Sequence, residues 1–260
     1  MRDVLLSLVS SVIAGSAVWL TQRLLRYRRL ARKRAFFGVT AGARCLLVSP
    51  RHYSSPKSAS VHRRDMAALV EVATVVNDCG GGVELVAGDA SPTEIGRQTE
   101  FCVGAPAANP RTAAHLRAVF LGVQFGPYGD GDNPRTFRVG GTPYPAPSDR
   151  AEYVVLAKAY PEATANPVFV IAGQTARSNL AAARLLASRY RSLRRTHGTA
   201  GRFCLVLRIG EPLAYGPDLV EIVADATAEA FRREPPPVAG TAPDPPATVS
   251  DARPQVQPET

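Results

Sequence analysis

The chain has 260 residues, with 31 Lys/Arg against 22 Asp/Glu, a hydrophobic fraction of 45% and a charged fraction of 20%. These proportions exclude a wholly disordered or fibrous chain, and the length allows one or two domains. The net charge of +9 is not spread evenly: residues 1–37 hold eight Lys/Arg and one acid, Asp3, leaving 23 basic and 21 acidic side chains in the other 223 residues. A body so nearly neutral lacks the broad basic face of a nucleic-acid binder, so no nucleic-acid partner is expected.

The first predicted element is a helix through the uncharged run Val4–Gln22. Nineteen residues at 1.5 Å rise reach about 28 Å, close to the thickness of the hydrocarbon layer. Trp19 and Tyr27 suit the interfacial zone. The cluster Arg23, Arg26, Arg28, Arg29, Arg32, Lys33 and Arg34 marks the cytoplasmic flank. The expectation is a single-pass transmembrane helix at the cell membrane, with the bulk of the chain cytoplasmic. A cleaved signal peptide, with Gly15 and Ala17 as its small residues, and a surface-lying helix are the alternatives; the basic block opposes export. Ser7, Ser11 and Gly15 share one helix face. That stripe suits a homo-oligomer formed through the helix, although small residues are common in such helices anyway.

Residues 38–234 read as one α/β domain with a mostly parallel sheet, because short apolar runs alternate with helical patterns. Strands are expected at Arg44–Ser49, Val83–Ala87 and Glu100–Val103, with helices over His62–Asp78, from Ser91-Pro92, and over Pro110–Leu121. Val123–Phe125 and Thr136–Val139 are strand candidates around a Gly/Asp-rich loop, and Gly140–Ser148 reads as loop. Tyr153–Lys158 and Val168–Ala172 are expected as neighbouring strands, followed by a helix over Ser178–Ser192 and a buried strand over Phe203–Ile209. Leu219–Ala224 is either a helix start or, as favoured here, a strand returning across the Tyr215–Asp218 turn. Residues 235–260 hold eight prolines and almost no large apolar side chain, so a disordered tail is expected.

Most catalytic signatures are missing. No P-loop, dinucleotide fingerprint, H-E-x-x-H or nucleophile elbow is present. His52, His62, His115 and His197 lack zinc spacing and read as surface or capping residues, so neither metal nor cofactor is expected. Asp130, Asp132 and Asn133 lack the closing glutamate of a calcium loop and read as a solvated turn. Cys45, Cys79, Cys102 and Cys204 are widely spaced and read as buried, reduced thiols.

Two segments share a layout: Phe101–Thr112 and Val170–Asn179 each run from strand through glycine and a short loop to Asn and an Ala-rich helix. Such a junction sits at the carboxyl end of a strand and offers unpaired helix N–H groups, a setting for a phosphate or carboxylate. The candidate binding residues are Gly104, Ala105, Asn109, Arg111 and Thr112 in the first junction, and Gly173, Gln174, Arg177, Ser178 and Asn179 in the second. Asn109 and Ser178 also fit plain helix caps.

Val103-Gly104-Ala105-Pro106-x-x-Asn109-x-x-Thr112, with the later Ile171-Ala172-Gly173 and Ala181-Ala182-x-x-Leu185, resembles a group of membrane-anchored, Rossmann-like bacterial modules. Those carry G-G-P-x-x-N and A-G-x-x-x-x-G-T-x-A-A elements. The resemblance covers about residues 43–210 and departs at Ala105 and at Ser178-Asn179. It implies a Rossmann-like fold and no particular reaction.

Three functions fit these observations. A membrane-tethered sensor or adaptor would bind a small anionic, nucleotide-like ligand at the two junctions, and the balance favours this binding role over catalysis. A hydrolase acting on a glycosidic or phosphate bond would draw on Asp65, Asp89, Glu94 or Glu100. A structural membrane protein would show only a shallow pocket lined by nothing polar.

Overall fold

The computed structural model describes residues 2–52, 55, 57, 60–88, 96–126, 135–162 and 165–232, without the side chains of residues 2–15 and 17. The expected helix at Ser91-Pro92, the turn at Asp130–Asn133 and the tail from 235 onward lie outside them.

The architecture is mixed α/β. A seven-stranded sheet has the order β10-β9-β7-β8-β3-β1-β2. Its strands are β1 (Arg44–Ser49), β2 (Gly82–Ala87), β3 (Glu100–Val103), β7 (Ala151–Ala159), β8 (Val168–Gly173), β9 (Phe203–Gly210) and β10 (Val220–Asp225). β2, β1, β3 and β8 pair in parallel; β7 is antiparallel to both β8 and β9, and β10 to β9. Five of the seven strands therefore point one way. The expected neighbours β7 and β8 do pair, and β10 returns along β9.

Residues alternate strictly between two cores, as the period-two geometry of a strand requires. Phe101, Phe169, Leu156 and Leu205 face helices α2 (Arg63–Asp78) and α4 (Ala176–His197). Cys102, Val170, Val155 and Cys204 face the opposite layer, which holds α3 (Pro110–Ala118), α6 (Thr227–Ala230) and a small antiparallel sheet. The stacked rings of Phe101 and Phe169, 4.8 Å apart on paired strand positions, tie the centre of the large sheet together. All four cysteines are buried and free.

The small sheet corrects one expectation. Gly140–Ser148 is not all loop: β5 (Phe137–Val139) turns through Gly140-Gly141 into β6 (Thr142–Tyr144), and β4 (Val123–Phe125) completes the sheet. Both glycines have positive φ, as a two-residue hairpin turn demands. Pro143 is tolerated because β6 is an edge strand. A single turn, α5 (Pro212–Tyr215), precedes β10.

Helix α1 is continuous from Arg2 to Phe37. Most side chains of its Val4–Gln22 stretch lie outside the described residues; among the described residues no helix is long and apolar enough to cross a membrane. The last turn of α1 belongs to the body. Phe36 and Phe37 are fully buried in the core with α2 and α4. Lys33 pairs with Asp78, and the Arg34 Nε donates to the Cys79 carbonyl. Each buried Phe contributes about 1.5–3 kcal/mol, so a fragment starting at residue 38 would lose a sizeable part of a typical domain stability.

Candidate functional site

The carboxyl ends of β1, β3 and β8 lie side by side, and the segments leaving them wall one cleft of about 390 Å³, at the small end of the range for ligand pockets. Gly104 and Ala105 come from the first glycine junction; Gly173, Gln174, Arg177 and Asn179 come from the second. The two segments singled out in the sequence thus share a single concavity.

Each junction is organised by its asparagine. The Asn109 side chain accepts from the backbone N–H groups of Arg111 and Thr112, capping α3, and its amide donates to the carbonyls of Val48 and Val103 at the ends of β1 and β3. Asn179 accepts from the Gly173 N–H at 2.7 Å and donates to the Asp65 carboxylate at 2.8 Å. Thr175 and Ser178 form a reciprocal capping box at the start of α4. Gly173 has no room for a side chain: a Cβ there would meet the Ser178 Oγ at 2.3 Å and the Asn179 Oδ1 at 2.6 Å. Gly173→Ala is accordingly expected to destabilise the fold by about 1–3 kcal/mol, read as a lower urea midpoint; an unchanged midpoint would show that the junction yields easily.

Four of the expected residues do not line the cleft. Asn109 is the N-cap of α3, Ser178 is the third helical residue of the capping box whose N-cap is Thr175, and Thr112 is fully buried. Arg111 turns away from the cleft, its guanidinium gripping both oxygens of the buried Glu100, at 3.0 and 2.6 Å. His115, expected at the surface or as a cap, is instead fully buried and bonds Glu100 at 2.9 Å. Gln174 lines the cleft but is largely spent on structure: it accepts from the Tyr153 N–H and donates to the carbonyls of Arg135 and Pro145, joining the small sheet to the large one.

Of the other wall, the sequence pointed only to Asp65, as a candidate hydrolase carboxylate. Arg51 and His52 follow β1, while His62, Arg64 and Asp65 open α2; Arg135 and Glu152 complete the rim. The general rule that ligands sit beyond the strand ends points to the segment after β1 as much as to the two junctions. His62 caps α2 by accepting from the Arg64 N–H, and its ring centroid lies 5.5 Å from that of His52. Burial lowers the His62 imidazole from its usual range, Asp65 opposes that shift and His52 adds to it. Burial raises the Asp65 carboxyl, against the bond from Asn179 and the two histidines.

The charge balance of the cleft favours an anion. Arg51, Arg64, Arg135 and Arg177 face only Asp65 and Glu152. Glu152 is already held by Arg177 at 3.2 Å and by the Thr175 hydroxyl at 2.6 Å. The Nε of Arg177 and the Nδ1 of His52 are buried without a hydrogen-bond partner among the described residues. The N-termini of α2 and α4 add their partial positive charges to the same space.

One further group has metal-binding elements. Glu100, Cys102 and His115 place donor atoms within 4.8 Å of one another, all buried. Because Arg111 already holds both oxygens of that carboxylate, a dication there would sit against a guanidinium. The donor set fits an internal ion-pair network better than a metal centre.

No family model matches the chain, and no curated protein or solved structure matches it.

Proposed function

We propose that this is a membrane-tethered sensor or adaptor whose Rossmann-like domain binds a small anionic, nucleotide-like ligand. The observation that carries the reading is the convergence of both glycine junctions on one cleft with four arginines and two acids, one of which is already neutralised. The Arg177 Nε, buried in that cleft without a partner among the described residues, is a donor awaiting an acceptor, and the unpartnered His52 Nδ1 is a second polar atom open to a ligand. A purely structural protein would need no such polar cleft. The tether rests on α1: Trp19, Leu20, Leu24, Leu25 and Tyr27 are exposed along a helix that projects from the body, apolar surface that a bilayer or a partner would cover. The reading places the body on the cytoplasmic side, behind the basic flank.

Thermal denaturation of the full chain tests the ligand. A nucleotide at a hundred times its Kd is expected to add about 2.7 kcal/mol, a Tm rise of roughly 5–10 °C for a domain of this size. The panel contains inorganic phosphate and mono-, di- and cyclic nucleotides. The double variant Arg51→Gln/Arg64→Gln is expected to keep the unliganded Tm and lose the rise. A flat response across the panel would sink the reading.

The hydrolase reading has one specific support. Of its four candidate carboxylates, Asp65 lies in the cleft, and burial raises it toward the range of a general acid. Glu100 is committed elsewhere, and Asp89 and Glu94 lie outside the described residues. Turnover of a stabilising ligand, seen as a new species by chromatography and abolished in Asp65→Asn, would favour it.

A further inference from the structure

A second cationic concavity, of about 250 Å³, lies away from the cleft where α1 passes the far end of α4. It is lined by Arg29, Arg32, Tyr190, Arg191, Arg194 and Arg195. Five guanidiniums line it without a carboxylate, and none of the five forms an ion pair among the described residues. Two exposed arginines elsewhere on the body do find acids: Arg184 pairs with Glu71 and Asp218, and Arg208 with Glu221. Like charges gathered without a counter-charge repel one another, and the arrangement gains free energy once an anion occupies it.

Its position says which anion. Arg29 and Arg32 lie seven and ten residues beyond Gln22, about 10–15 Å along the helix from the end of the apolar run. That distance is within reach of the negative potential of an anionic leaflet, which decays over about 8 Å beyond the headgroups. The docking of Phe36 and Phe37 into the core fixes the body against α1, so the arginines of α4 are held at the same level as those of α1. We propose that this patch takes the phosphate headgroup of an anionic phospholipid, making the folded body, and not only the tether, a contact with the bilayer surface. The inference rests on the tethered reading of α1 and is independent of what the cleft binds. Since α4 runs from Thr175–Arg177 in the cleft to Arg194–Arg195 in the patch, one helix of about 33 Å spans both sites.

The test uses the full chain in mild detergent, titrated with phosphatidylglycerol or with phosphatidylcholine, and counts retained lipids by native mass spectrometry. The wild type is expected to retain phosphatidylglycerol at least about tenfold better, a modest demand at roughly one tenfold step per one to two arginines near a lipid phosphate. Arg191→Gln/Arg194→Gln/Arg195→Gln is expected to lose most of that preference, and the distal control Arg208→Gln to keep it. No preference in the wild type, or a preference untouched by the triple change, overturns the proposal. So does full displacement of the lipid by an equal concentration of soluble glycerol phosphate, which would mark a site for free phosphate esters. Carbonate washing of cell membranes separates this from the tether itself: release of the wild type sinks the tether, whereas retention of the wild type beside a flat lipid titration sinks the patch alone.

Discussion

Glu100→Leu is expected to destabilise the domain by about 3–5 kcal/mol, enough to unfold many domains of marginal stability. The carboxylate is fully buried at the start of β3 and accepts from the Arg111 guanidinium through both oxygens and from His115 through one. Without it, the Arg111 guanidinium and the His115 imidazole lose the carboxylate that both bond beneath the sheet, and breaking a buried pair from one side costs more than the intact pair contributes. Changing all three together, Glu100→Leu/Arg111→Met/His115→Leu, is expected to recover most of the loss because nothing charged is then left buried. Urea midpoints of the full chain decide it, and a single change costing less than about 1 kcal/mol would show that water reaches the network. The pH dependence carries a definite sign. Burial raises the Glu100 carboxyl, but the bonds from His115 and Arg111 outweigh it and hold the group below its ordinary 4.5. A carboxyl lowered by folding contributes stability that is complete above the unfolded value and is lost as the pH falls below 4.5 through the folded one. The triple variant should lack that acid-side loss.

How far the sequence reaches depends on how local each signal is. The large sheet was legible because its strands are short apolar runs in which alternate residues serve opposite cores, and its helices because their apolar faces recur at helical spacing. β6 was not, since Gly140-Gly141 and Pro143 together look like loop, and the strand survives only as an edge. Both glycine junctions were legible as repeated layouts. What the layout could not show is where each side chain points: Arg111 follows Asn109 just as Arg177 follows Thr175, yet one turns inward to Glu100 and the other faces the cleft. That difference depends on a carboxylate eleven residues earlier whose burial no spacing reveals. The wall made by Arg51, His52, His62 and Arg64 carries no motif at all; it becomes a wall because β1 lies between β2 and β3 in the sheet, which brings the segment after β1 to the mouth of the cleft.

Between pH 8 and 9, the stability of the wild type is expected to rise by about 1 kcal/mol relative to Lys158→Met. Lys158 is fully buried on β7, and its Nζ donates to the carbonyls of Phe36, in the last turn of α1, and of Thr199, each at 2.8 Å. A neutral amine has two N–H groups, one for each carbonyl, whereas an ammonium carries a third proton. The faces of Phe36 and Phe169, 4.7 and 5.7 Å away, favour the cation, but burial wins and lowers the group from 10.5 to about 8. Between those values the unfolded chain binds a proton that the folded chain has released, so stability climbs with pH at about 1.4 kcal/mol per unit. Buried thiols act in the opposite direction at higher pH: burial pushes Cys45 up to about 11 and Cys204 up to about 12, from 9.0. Above pH 9 the unfolded thiols ionise first and stability falls. Both chains contain the same thiols, so the difference between wild type and Lys158→Met removes that contribution and leaves the lysine alone. Parallel stability curves across pH 7–10 would mean that the ammonium is solvated. A diverging pair would identify a buried amine holding the end of α1 to the sheet, so that raising the pH tightens the joint between α1 and the body.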